Sequence, residues 1–63
     1  MTYYKIPIID KLYIIGRGTV LVVKKDKFRL NDIINNRYII TGIEDSQFSN
    51  IVGLIVREMD GNQ

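Results

Sequence analysis

The residues of this sequence best suited to hold a ligand are basic side chains gathered around one predicted turn. Basic groups interleaved with an aromatic ring can grip a phosphate backbone and stack a base. The alternative, which we favour, is a hairpin tip whose lysines keep an exposed strand edge from pairing while Phe28 lies in the core. With Arg17 added, the candidate RNA- or partner-binding residues are Arg17, Lys24, Lys25, Lys27 and Arg29.

The charge of the chain is unevenly distributed although its net value is only +2. Residues 1–30 carry seven basic and two acidic side chains, whereas residues 31–63 carry two basic and five acidic ones. Such asymmetry is typical of a basic face for RNA or for an acidic partner. It is equally consistent with complementary solvated surfaces.

The composition argues against catalysis. The chain has no histidine and no cysteine, so neither a Ser/His nor a Cys/His nucleophile can be assembled. The adjacent Glu44 and Asp45 would face opposite ways in a strand and cannot act together as acid and base. The Gly16-Arg17-Gly18 segment is too short for a phosphate loop and leads into a predicted strand rather than a helix. We therefore expect that the chain is not an enzyme and that it binds neither a cofactor nor a metal ion.

The 63 residues are enough for one small domain, predicted to span 1–63 with residues 58–63 as a frayed tail. Hydrophobic residues make up 46% of the chain, which is rich for so small a domain. Either the core is efficient, or part of the apolar surface is covered by a protein partner, for which a homo-oligomer is the simplest case. Residues 1–5 lack the pattern of a signal peptide, and no apolar run is long enough to span a membrane. The expected location is the cytoplasm, with no membrane partner.

Short apolar segments separated by turn signals predict an all-β protein, a small closed or partly open β-barrel. Gly16 and Gly18 suit a tight corner, Asn35-Asn36 suits a two-residue hairpin turn, and Gly42 suits a bulge or a close approach of another part of the chain. The predicted extended segments are 3–9, 12–15, 19–25, 28–30, 33–34, 38–44 and 51–57. The predicted core is Ile6, Ile8, Leu12, Ile14, Val20, Val22, Leu30, Ile34, Ile39, Ile43, Val52, Leu54 and Val56.

Three blocks of the sequence, in the same order, resemble the second domain of the translational GTPases, the β-barrel that follows the nucleotide domain in elongation factor Tu. The blocks are Pro7, Asp10 and Gly16-Arg17-Gly18-Thr19-Val20; Leu30-Asn31-Asp32-Ile33-Ile34; and Asn50 with Val52-Gly53-Leu54-Ile55-Val56-Arg57. The resemblance covers nearly the whole chain and implies a stand-alone, shortened barrel of this type. The matching residues are corner, turn and closing positions.

The resemblance implies scaffold more than activity. The segment between Ile43 and Asn50 is much shorter than the one that helps to accommodate the end of transfer RNA in elongation factor Tu, so no such pocket is implied. Two functional hypotheses follow. The chain is a non-catalytic binding module that contacts ribosomal RNA or a translation-related protein, or it is a self-associating or protein–protein interaction module unrelated to translation.

Overall fold

The structure, a computed structural model, describes residues 1–47 and 49–59. Within these residues the chain forms strands and no helix, which confirms the prediction of an all-β protein. The six strands are β1 (Tyr3–Tyr4), β2 (Asp10–Ile14), β3 (Gly18–Lys24), β4 (Ile33–Ile34), β5 (Tyr38–Asp45) and β6 (Ile51–Glu58).

All six strands belong to one sheet with the order β1-β4-β5-β6-β3-β2. The β1–β4 pair is parallel and the other four pairs are antiparallel. Of the predicted closed or partly open barrel, the closed form is not found, because β1 and β2 lie at opposite edges of the sheet and do not pair with each other within the described residues. Closure fails since β1 is only two residues long and is bonded to β4 alone.

The segment of residues 5–9 crosses one face of the sheet, because it must connect β1 at one edge with β2 at the other. Ile6 and Ile8 of this segment and Phe28 from the loop after β3 pack against the core. Pro7, which cannot donate to a ladder, lies in the crossing segment and not in a strand. The core cluster comprises Leu21, Val23, Ile34, Tyr38, Ile40, Val52, Leu54 and Val56.

The predicted core is right for β6, for Ile34 and for the packing of Ile6 and Ile8, but it is wrong by one position in two other strands. Leu21 and Val23 face the core in place of Val20 and Val22, and Ile40 does so in place of Ile39. Val20 is nevertheless buried, on the opposite face of the sheet. The predicted core residues Leu12, Ile14, Leu30 and Ile43 are exposed.

The turns follow the sequence closely. Asn35 and Asn36 have φ values of 54° and 56°, and Arg37 N donates to Ile34 O at 3.0 Å, so they form the expected two-residue hairpin turn between β4 and β5. Gly16 has a φ of 90° in the corner between β2 and β3. The register of β5 against β6 shifts between Ile40 and Gly42, which confirms the predicted bulge.

Two further predictions concern the chain's less regular parts. The expected extended segment 28–30 is not a strand, since Asp32 N donates to Arg29 O in a turn at this point. Glu58, the first residue of the predicted frayed tail, lies in β6, and Met59 N donates to Arg37 O at 2.7 Å. Residues 60–63 lie outside the described residues. No helix able to cross a membrane exists in the described part of the chain.

Candidate functional site

The structure divides the predicted basic strip between the two ends of β3. Arg17 lies in the turn before β3, and Lys24 is the last residue of that strand. At a rise of about 3.3 Å per residue, the backbones of these two residues are at most about 23 Å apart along the strand. Lys25, Lys27 and Arg29 follow Lys24 and remain near it in sequence. The backbone of Arg17 therefore lies away from the other four candidate residues, although its side chain reaches Glu44, the neighbour in sequence of the Asp45 that pairs with Lys25.

Two of the basic residues are paired within the chain. Arg17 forms an ion pair with Glu44 of β5. Lys25 Nζ lies 3.0 Å from Asp45 Oδ1 and also donates to the carbonyl oxygen of Ser46. Both pairs are at least partly open to solvent, so each contributes little stability. They do, however, neutralise two of the five cations that an anionic ligand would need.

The remaining three, Lys24, Lys27 and Arg29, are exposed and have no ion-pair partner among residues 1–47 and 49–59. Phe28 is not free to stack on a base, because its ring is 4.7 Å from the ring of Tyr4 and packs against the core. The Tyr4 hydroxyl donates to Lys27 O at 3.0 Å. Partial burial, and then the nearby carboxylates, raise the pKa of Tyr4 above its ordinary value.

A cleft of about 290 Å³ lies between the crossing segment and the end of β3. Its walls are formed by Ile6, Pro7, Ile9, Lys24, Lys25 and Asp26. The lining is apolar on one side and charged on the other, with Lys25 already engaged by Asp45. No cluster of metal-ligating side chains occurs within the described residues.

Strand β2 is the most exposed element of the sheet. All five of its residues are exposed, including three large apolar side chains. Tyr13 is 75% exposed, and Ile15 in the turn that follows is 90% exposed. The adjacent strand β3, by contrast, contains three buried residues. An edge strand with this composition can accept a further strand from another chain.

The backbone of β2 has alternating roles. Just beyond the end of β3, Lys25 N donates to Asn50 O, which precedes β6. Backbone groups alternate in direction along a strand, so the odd-numbered residues of β3 bond to β6 and the even-numbered residues bond to β2. Since Leu12 lies opposite Val20, the even-numbered residues of β2 bond to β3. The amides and carbonyls of Lys11 and Tyr13 therefore point away from the sheet.

One outward-pointing donor of this edge is occupied by a local side chain. Asp10 Oδ1 accepts a hydrogen bond from Lys11 N at 2.8 Å. Tyr13 N has no corresponding acceptor in the part of the chain that the structure describes. Asp10 thus occupies the outward-pointing amide of Lys11, whereas the outward-pointing amide of Tyr13 is left open.

The face of the sheet opposite the crossing segment carries an apolar row that continues from this edge. Leu12, Val20 and Ile55 are neighbours across β2, β3 and β6. The row is closely packed at its inner end, because a Cβ at Gly42 would lie 3.0 Å from Ile55 Cδ1. Leu12 is 43% exposed at the outer end. We call this row, from Leu12 to Ile55, the outer row.

The opposite edge of the sheet is tied down by side chains. Asp32 is 3% exposed, and its two carboxylate oxygens accept from Thr2 N at 2.9 Å and Arg29 N at 3.0 Å. Asn35 Oδ1 accepts from Ile6 N at 2.7 Å, and Asn35 Nδ2 donates to Ile6 O at 2.9 Å. Three of these four hydrogen bonds hold the start of β1 and the crossing segment in place, and the fourth, from Arg29 N, closes the turn before β4.

Sequence reasoning identified the basic residues but not the open edge. The signal for it is present in the apolar segment 12–15, of which Leu12 and Ile14 are predicted to lie in the core because they are hydrophobic. No known protein family, curated protein or solved structure matches this chain. The candidate site therefore stands on its own geometry, as an edge strand flanked by exposed apolar side chains.

Proposed function

We propose that this chain is a non-catalytic binding module whose ligand is another protein, engaged at the β2 edge. One observation carries the proposal: β2 is exposed along its whole length while presenting apolar side chains. Single exposed apolar residues are ordinary on protein surfaces. A run of them on a sheet edge with outward-pointing backbone groups is what strand addition by a partner requires.

The physical argument for a protein ligand combines two surfaces. The backbone of Lys11 and Tyr13 supplies hydrogen-bonding groups, which give affinity without regard to the partner's sequence. Leu12 and the outer row supply apolar area on one side of the added strand, and Tyr13 supplies an aromatic surface on the other. A sheet edge that is not meant to pair is instead shielded by charges, proline or a bulge. Here the shield is limited to Asp10 and Lys11.

Site-specific photo-cross-linking tests this proposal. A photoreactive residue at position 13 is expected to form covalent adducts with protein in expressing cells, identified by mass spectrometry. The matched control is Thr41, which is also exposed and lies in a strand in the middle of the sheet. Adducts that are equally frequent at positions 13 and 41, or absent from both, would refute protein binding at this edge.

We propose RNA binding as the second candidate, in keeping with the resemblance to a translation-factor barrel. It is favoured by Lys24, Lys27 and Arg29, which are exposed and unpaired within the described residues. Three phosphate contacts predict a logarithmic salt dependence of affinity with a slope of about −2 on single-stranded RNA. Replacing all three residues by glutamine removes this slope.

The matched control for RNA binding is the double replacement of Arg37 and Arg57 by glutamine, which removes cations elsewhere on the sheet. Filter binding on a single-stranded oligonucleotide, repeated between low and moderate salt, separates the cases. Affinity that is lost equally in both sets of variants would show non-specific attraction only. Wild-type protein without salt-dependent affinity would eliminate the RNA candidate and leave the protein candidate untouched.

A further inference from the structure

We infer that the partner of the β2 edge is a second copy of this chain, bound by antiparallel pairing of β2 with β2 about a two-fold axis at Leu12. The inference rests on the proposed protein binding at this edge and deepens it. Both edges are then identical, so every contact must be self-complementary. The sequence of β2 meets that condition in one register.

Backbone geometry restricts the register. In β2, the residues whose backbone groups point away from the sheet are Lys11 and Tyr13. The hydrogen bonds of an antiparallel pair must join such residues of one copy to such residues of the other. When Leu12 lies opposite Leu12 of the second copy, Lys11 lies opposite the second copy's Tyr13. By symmetry, Tyr13 lies opposite the second copy's Lys11. All four hydrogen bonds of this register then come from residues within β2.

The side chains favour the same register. A shift that places Lys11 opposite its own equivalent would bring two like charges together, which destabilises a cross-strand pair. A shift centred on Tyr13 would place Lys11 opposite Ile15, which is in the turn and not in the strand. The ammonium group of Lys11 already lies 5.6 Å from the centroid of the Tyr38 ring in its own chain. With the axis at Leu12, Tyr13 of the second copy brings a second aromatic ring beside it, a favourable cation–π pair. The two Leu12 side chains then join the outer rows of both copies.

The contact is small, and Asp10 opposes it. Edge pairing of five residues lies below the usual interface area of about 1,200 Å², so weak, concentration-dependent association is expected. Asp10 Oδ1 occupies Lys11 N, which the pairing needs as a donor. Asp10→Ala removes this competitor and is expected to tighten the dimer about threefold or more, as one exposed hydrogen bond allows.

Cysteine scanning tests the register directly, because the chain contains no cysteine. Leu12→Cys is expected to form a disulfide-linked dimer under mild oxidation, since opposed residues in a non-hydrogen-bonded pair have Cα atoms about 4.5 Å apart. Ile14→Cys is the matched control, on the same face and similarly exposed at 38%. Equal cross-linking of both variants, or preferential cross-linking of Tyr13→Cys, would overturn the register.

A charge test provides an independent check by sedimentation equilibrium. Tyr13→Glu is expected to preserve or tighten the dimer, because the new carboxylate faces Lys11 of the second copy. Tyr13→Lys is expected to weaken it at least tenfold. If both variants dissociate alike, the axis does not lie at Leu12. If the wild type stays monomeric to millimolar concentration while position 13 still cross-links to other proteins in cells, self-pairing fails and the proposed protein binding stands.

Discussion

The two edges of the sheet differ in how their backbone groups are satisfied. At the β1 edge, Asp32 and Asn35 direct side chains onto the backbone of Thr2, Arg29 and Ile6, and four hydrogen bonds result. At the β2 edge, a single side-chain bond of this kind is found among residues 10–14, in which Asp10 Oδ1 accepts from the amide of its own neighbour Lys11.

The β1 edge therefore contributes to the stability of the fold, whereas the β2 edge is the one proposed to bind a partner. Buried polar side chains at the β1 edge hold the chain's first strand and the crossing segment, and their loss would be felt as instability. The β2 edge exposes apolar side chains to solvent, and the loss of the most exposed ones, Tyr13 and Ile15, would be felt mainly by a partner. The contrast can be broken or sharpened by substitutions at each edge.

The largest effect is expected for Asp32→Ala. It removes the acceptor of two backbone amides, and hydrogen bonds to a charged group contribute about 1.5–3 kcal/mol each. The loss is therefore expected to be about 3 kcal/mol or more, close to the whole stability of about 3–5 kcal/mol that a core of this size supplies. Urea unfolding followed by circular dichroism measures it.

Asp32→Asn is the control, since it keeps one acceptor oxygen in the same shape and is expected to lose about half as much free energy. If Asp32→Ala lowers the free energy of unfolding by less than about 1 kcal/mol, the Asp32 carboxylate does not stabilise the β1 edge.

The second effect separates turn geometry from the clamp on the crossing segment. Asn35 and Asn36 both have positive φ, which glycine adopts without strain. Asn35→Gly keeps the turn but loses both bonds to Ile6, so the free energy of unfolding should fall by about 2 kcal/mol. Asn36→Gly should change it by less than about 0.5 kcal/mol. Equal effects in the two variants would show that the clamp contributes nothing.

The turns were predictable from the sequence because their causes are local. Asparagine pairs and glycines adopt positive φ wherever they stand, so the hairpin at Asn35 and the corner at Gly16 needed no tertiary information. The core face of β6 was also predictable. It was not predictable for β3, because residues 20–23 are apolar on both faces and alternation then carries no signal.

The candidate site was harder to predict. The distance between Arg17 and Lys24 follows from strand length alone and was available in the sequence. The exposure of Leu12 was not, because it depends on which strand ends the sheet. That in turn depends on the crossing segment, which places β1 and β2 at opposite edges and leaves β2 uncovered.

A smaller effect concerns the pH dependence at Tyr4. Its pKa is raised in the folded protein, so the protonated phenol is favoured by folding. The associated stability is present below the phenol's ordinary pKa of 10.0 and is lost as the pH rises above it. The difference in unfolding free energy between wild type and Tyr4→Phe should therefore decrease above pH 10. A difference that is constant from pH 7 to 11 would contradict this.

The smallest effect is expected at the β2 edge. Ile15→Ala should change the stability of dilute protein by less than about 0.5 kcal/mol, because the side chain is 90% exposed. Thermal unfolding at micromolar concentration measures it. A loss above about 1 kcal/mol would show that the turn after β2 packs against the molecule and is not an open surface.

Amide hydrogen exchange at neighbouring residues of β2 tests the central claim, that this edge is open and pairs with a second strand. In dilute protein, we expect Tyr13 N–H to exchange rapidly and Leu12 N–H, bonded to β3, to exchange slowly. In concentrated protein, exchange at Tyr13 should slow while exchange at Leu12 stays unchanged. Equal protection of both amides in dilute protein, or a Tyr13 rate that does not change with concentration, would contradict the account.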